Sequence, residues 1–144
     1  MEPEIDYQSI PTGYAHCFNE KCACADQCLR RLAALHIPAD QNTVVAVNPG
    51  RTMAGGTSCP FFRPKKLLRL AVGMLHLYDN LNYRDALAVR REISRNLGRG
   101  IYYRIRNSER PLTPAEHSYV KRVFKKYGIT SEPLFDGYKE TYDW

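Results

Sequence analysis

From Tyr83 onward the apolar residues fall three and four apart. Tyr83, Ala86, Leu87, Ile93 and Leu97 mark one side of a helix over Tyr83–Leu97, and Gly98 is placed to end it. Tyr119, Val120, Val123, Phe124 and Tyr127 mark a second stripe. Thr113-Pro114-Ala115-Glu116 ahead of it is a helix start: a capping hydroxyl, a proline at the first helical position and a carboxylate that can reach back. Gly128 ends that helix. A shorter helix, Gln27–His36, puts Leu29, Leu32, Ala33 and His36 on one face; Asp26 caps it and Pro38 stops it. Leu67–Tyr78 is apolar nearly all round, which predicts a central buried helix over Lys65–Tyr78, broken at Asp79–Asn82. Ile101–Arg106 fits either the helical or the strand period; a short helix is expected there, which sets Tyr102 and Arg106 together. Thr43–Val47 is β-branched and apolar and reads as a short strand, followed by a turn at Asn48-Pro49-Gly50.

These elements predict a mainly α protein, a small helical domain with an N-terminal cysteine knuckle and at most one short strand or hairpin. One domain is expected over residues 1–144. Within it 1–62 is cysteine-rich, 63–128 is basic and helical, and 129–144 is an acidic aromatic tail that folds back on the basic surface or stays mobile.

Charge sharpens that division. Residues 63–126 hold sixteen Lys/Arg against five Asp/Glu, a net of +11, whereas residues 1–62 carry −2 and residues 127–144 carry −3. Such asymmetry favours phosphate-rich or otherwise acidic partners. The 44% of hydrophobic residues and sixteen aromatics suffice for a core. The acidic start MEPEIDYQSIPTGY does not read as a secretory signal. The apolar stretch Leu67–Tyr78 contains Arg69 and His76 and is too short and too polar to span a bilayer. A cytoplasmic protein without membrane contact is expected.

Cysteine supplies the candidate chemistry. Cys17, Cys22, Cys24 and Cys28 fall within twelve residues, and Cys59 precedes Pro60 at the end of a Gly-rich loop over residues 50–60. That loop lacks the Gly-Lys-Ser/Thr of a phosphate-binding loop and reads as the segment that returns Cys59 to the knuckle. In a reducing compartment clustered thiols bind metal or do redox work more often than they form disulfides, and an odd number argues against a disulfide scaffold. Tetrahedral zinc takes four such ligands from a local knuckle and a distant residue. The expected metal site is Cys17, Cys22, Cys24, Cys28 and Cys59, with one cysteine in excess and His16 and His36 as substitutes. Zinc is the expected cofactor. An iron–sulfur cluster is the alternative, since Cys59-Pro60 matches one feature of ferredoxin ligands, although the C-x2-C-x2-C run is absent.

The basic helices supply the second candidate. Arg84, Arg91 and Arg95 lie at helical spacing away from the apolar side, Lys121 and Lys125 share an outer ridge with His117, and Tyr residues are interleaved. Arg and Lys meet phosphates and Tyr stacks on bases. The segment Arg90–Arg110 resembles a repressor-type helix-turn-helix: Glu92-Ile93 to Leu97-Gly98 as first helix and turn, Ile101–Arg106 as the start of a recognition helix, Thr113–Gly128 as support. Charge, spacing and this resemblance together lead to an expected nucleic-acid surface, in the first place for DNA, formed by Arg84, Arg91, Arg95, Arg99, Tyr102, Arg104, Arg106, Lys121 and Lys125; of these the resemblance offers Tyr102, Arg104 and Arg106 as base readers. The span from Leu97-Gly98 to Arg104-Ile105 is about two residues shorter than in the usual pattern, which re-aims Tyr102, Arg104 and Arg106.

Along the whole chain the order of a Y-x-x-I-P-x-G-Y lead-in, the knuckle, N-P-G, S-C-P-F-F, Y-Y-R-I-R-N, T-P-A-E and Tyr142-Asp143-Trp144 is similar to a family of short cysteine-containing proteins of unknown function from anaerobic gut bacteria. That resemblance implies a bacterial cytoplasmic protein and no activity. The four histidines, 16, 36, 76 and 117, are dispersed, and no HExxH, G-x-S-x-G or paired-carboxylate motif is present. The sequence therefore reads as a metal-stapled nucleic-acid-binding protein, a transcriptional regulator by the helix-turn-helix resemblance, rather than an enzyme. An iron–sulfur redox or oxygen sensor and a protein-interaction adaptor are the alternatives.

Overall fold

A computed structural model describes residues 2–52 and 58–144. The middle of the loop expected over residues 50–60 lies outside them. The described chain carries five α-helices: α1 (Leu29–Leu35), α2 (Pro49–Thr52), α3 (Tyr83–Leu97), α4 (Arg99–Arg106) and α5 (Pro114–Lys126). Two strands, β1 (Leu67–Val72) and β2 (Gly137–Tyr142), pair in a two-stranded antiparallel sheet. The fold is thus a small α/β one, which corrects the expectation of a mainly α protein.

The correction comes from two segments. Lys65–Tyr78 is not a buried helix: β1 occupies 67–72, and Gly73, at φ +79, turns the chain out of it. A continuous apolar run fits a buried helix and a strand equally by pattern. Here the strand has a backbone partner, because the acidic tail is not loose but forms β2. Tyr138, Thr141 and Tyr142 within β2 are residues that suit a pleated surface. Thr43–Val47 is not a strand either. It makes one isolated parallel bridge, His16 to Ala46, with His16 N–H donating to Val45 O at 2.8 Å and Val47 N–H to His16 O at 2.9 Å. Asn48-Pro49-Gly50 opens the one-turn helix α2 instead of a plain turn.

The contacts group the chain into two compact units, Met1–Leu68 with Thr141–Trp144, and Arg69–Glu140. The second unit is built on α3, α4 and α5. Val89 and Ile93 of α3, Tyr102 and Ile105 of α4, and Val120, Val123 and Phe124 of α5 enclose one core with Ala71, Met74, Leu77, Leu112 and Phe135. Asn82 accepts from Asp85 N–H at the start of α3. Both α4 and α5 end with the amide after a left-handed residue bonding back to the last turn: Glu109 N–H to Arg104 O, and Ile129 N–H to Phe124 O. Gly128 takes that left-handed position after α5, and Ser108, at φ 62, takes it after α4.

The first unit buries less: His16, Cys28, Leu29, Ala33, Val47 and Tyr142. Directional bonds do more of the work there. Arg63 donates to Asp143 O (2.8 Å), Asp143 Oδ1 (2.9 Å) and Trp144 O (3.1 Å). No described helix is long and apolar enough to cross a membrane.

Candidate metal centre and nucleic-acid interface

Three sequence-distant pieces meet at the cysteines. A 3-10 turn, Ala25–Gln27, leads into α1, and Cys28, not Asp26, is the residue at the helix start. Backbone bonds then tie the knuckle down. Cys17 N–H donates to Arg30 O at 3.0 Å, Leu29 N–H to Arg63 O at 2.8 Å, and Cys28 bridges Pro64. The Arg30 side chain completes the junction, donating to Ala15 O at 3.1 Å and Phe61 O at 2.9 Å. One guanidinium thus binds the chain two residues before Cys17 and two residues after Cys59.

The outcome is that Cys17, Cys22, Cys28 and Cys59 line a single cavity of about 20 Å³, with Arg30, Arg31, Phe61 and Phe62 in its wall. Cys24 is not among the lining residues. All five thiols are free. As the side chains stand, no three His, Cys, Asp or Glu groups among the described residues are placed to hold a metal ion. The histidine substitutes are engaged elsewhere. Buried His16 meets Tyr7 OH through Nε2 at 2.8 Å and donates through Nδ1 to Val45 O at 3.0 Å. His36 donates through Nδ1 to Leu32 O at 2.9 Å. Arg30 and Arg31 were not singled out by the sequence reading. Their signal was position alone, directly after Cys28-Leu29.

The second unit holds all of the net positive charge. It has fourteen Lys/Arg against eight Asp/Glu, a net of +6, while the first unit has seven of each. Arg84, Arg91 and Arg95 stand seven and four apart on α3 and are all exposed. Arg99 and Arg104 of α4 are exposed as well. None of these five enters an ion pair among the described residues. Five of the eight carboxylates of the unit are taken up by other groups. Glu92 binds Lys126 (2.8 Å) and accepts from Tyr127 OH (2.7 Å), which hold its carboxyl below the usual range. Glu116 pairs with Arg110 at 2.9 Å, Glu132 with Lys121 at 3.5 Å, and Asp79 with His76 at 2.8 Å. Asp136 accepts from the amides of Leu75 and His76, both at 3.0 Å.

Lys121 is therefore partly committed, and Arg106 is half-buried with Nη1 donating to Asn107 Oδ1 at 3.3 Å. Lys125 is exposed. Tyr102 is not a surface residue. It is 1% exposed, with its hydroxyl 2.9 Å from that of Tyr78, so it packs the core and cannot meet a base. Burial, together with that Tyr102 contact, pushes the Tyr78 phenol far above its ordinary value. A groove of about 610 Å³ runs beside the α3 arginines, lined by Arg91 and Arg95 with Tyr119 and Lys126 of α5 and Tyr127 just after it. Periodicity places Tyr119 and Tyr127 in the core stripe, and Lys126 is outside the expected contact set.

The link between α3 and α4 is Gly98 alone, at φ +83. A helix-turn-helix uses a turn of about three or four residues. The junction here is one residue long, and Tyr102 of α4 faces the core.

No curated protein and no solved structure matches the chain. The whole-chain resemblance is nevertheless met by one family model that covers residues 1–144, and the chain belongs to that family, the family of unknown function DUF6078.

Proposed function

We propose that this protein binds nucleic acid, duplex DNA in the first place, by its phosphate backbone through the arginines that α3 and α4 expose. The observation that carries the reading is the set Arg84, Arg91, Arg95, Arg99 and Arg104: exposed cations outside every ion pair among the described residues, in the unit that holds the net charge of +6. Unpaired guanidinium groups suit phosphate oxygens, which they meet in a bidentate fork. With Tyr102 buried and a one-residue junction before α4, base reading by a repressor-like recognition helix has little support. Contacts to phosphates position a protein on the duplex without reading sequence.

The test is fluorescence anisotropy with a labelled mixed-sequence duplex across a salt series. The logarithm of the affinity should fall with log salt by roughly 0.9 for each phosphate met, a slope of about −3 to −5. Arg91→Glu with Arg95→Glu should weaken binding and make the slope shallower by about 2, while Lys139→Glu on β2 should change little. Affinity indifferent to salt, or equal loss in the Lys139 variant, would turn the reading toward a protein partner.

A further inference from the structure

We propose that Cys17, Cys22, Cys28 and Cys59 together bind one zinc-like divalent ion in a tetrahedral all-thiolate site, and that Cys24 takes no part. This goes beyond the nucleic-acid reading and rests on the first unit alone. Five cysteines were available for four positions, and spacing could not choose among them. The fold chooses: four border one cavity and the fifth does not. The chemistry of the lining and the room within it point to the occupant. At about 20 Å³ it has room for one body of roughly the size of a water molecule. That space suits a single ion, and four thiolates make up its full tetrahedral ligand set.

The four sulfurs border the space without yet closing on a common point, since no three are placed for ligation. Binding draws each to about 2.3 Å from the ion. The backbone that carries them is already tied by Cys17 N–H to Arg30 O and by the Cys28–Pro64 bridge. The step balances as four thiols plus one divalent cation giving four metal–sulfur bonds, with four protons released to solvent and a net charge of −2 on the site. Arg30 and Arg31 in the cavity wall offset that charge. Arg30, fixed by Ala15 O and Phe61 O, also holds the two ligand-bearing segments around the ion. Proton release makes the affinity rise with pH.

Reduced, metal-stripped full-length protein would be titrated with cobalt(II) chloride, then with zinc chloride. One cobalt per chain should bind, with the ligand-field and sulfur-to-metal bands of a tetrahedral thiolate site, and zinc should bleach them. Cys24→Ser should keep the spectrum; Ser at 17, 22, 28 or 59 should abolish or shift it. Because such variants can fail to fold, the unaltered protein is also alkylated in the presence of zinc and mapped by mass spectrometry. Cys24 alone should be labelled. Absence of a tetrahedral spectrum, protection of Cys24, labelling of any of the other four, or iron with acid-labile sulfide in the protein as isolated would each overturn the proposal. None of these results depends on nucleic-acid binding.

Discussion

Gly73 sits where β1 ends, at φ +79, a backbone conformation that side chains disfavour. A Cβ there would overlap Asp136 Oδ2 and lie 2.6 Å from Ser108 Oγ. Asp136 cannot withdraw freely, because its carboxylate holds the amides of Leu75 and His76. Gly73→Ala is therefore expected to cost about 2–4 kcal/mol, combining left-handed strain with local overpacking. Urea denaturation of the second unit checks this, and a loss below about 1 kcal/mol would mean the Asp136 clasp is soft. Arg30 and Gly73 make the same point from opposite directions. One matters through a long side chain that joins remote carbonyls, the other through having no side chain.

At the scale of an element, α5 is organised from its first turn. Thr113 Oγ1 accepts from Glu116 N–H at 3.2 Å, the Glu116 carboxylate accepts from Thr113 N–H at 2.8 Å, and Arg110 adds two bonds of 2.9 Å. Burial raises the Glu116 carboxyl, but the Arg110 and Thr113 bonds outweigh it and leave it below its ordinary 4.5. A depressed carboxylate contributes stability that is fully present above its unfolded value and is lost as pH falls through its folded value. Glu116→Gln should therefore lower stability by about 1–2 kcal/mol at neutral pH. The gap between variant and parent should close as pH drops below 4.5. Thermal melts of both proteins at neutral pH and at about pH 3 read this directly. A gap constant with pH would mean the carboxylate charge contributes nothing. The cap depends on residues 110–116 alone, which is why α5 could be delimited from sequence.

At the scale of the whole molecule, the two units are built differently. Twelve residues enclose the core of the second unit, whereas among the described residues six are buried in the first, one of them a histidine. A bound ion would supply folding energy where apolar burial is thin. Amides of Met1–Leu68 should exchange hydrogen faster than those of α3 and α5 in metal-stripped protein, and zinc should slow them selectively. Cys22→Ser should abolish that slowing and leave the second unit unchanged. Equal protection of both units with and without zinc would mean the first unit stands on packing alone.

What could be read from the chain by itself is what neighbours in sequence decide. The extents of α3 and α5, the caps at Thr113 and Gly128 and the end of α3 at Gly98 all follow from residues within a few positions of one another, and the structure has them there. At 101–106, where either period fits, the expected short helix is present and begins two residues earlier, at Arg99. The concentration of charge is a matter of composition and needed no fold. Tertiary structure decided the rest. Within the run 65–78, residues 67–72 are a strand because β2, some seventy residues on, offers them a backbone ladder that no local pattern announces. Tyr102 is buried because α4 packs it into the core shared with α3 and α5, a matter of contacts between elements. Four cysteines out of five share a cavity because Arg30 and the Cys28–Pro64 bridge close a loop whose ends are far apart in sequence. Periodicity and capping act over one or two turns, so they specify elements. Which side chains meet depends on contacts between elements, where backbone pairing and shared burial outweigh local preference.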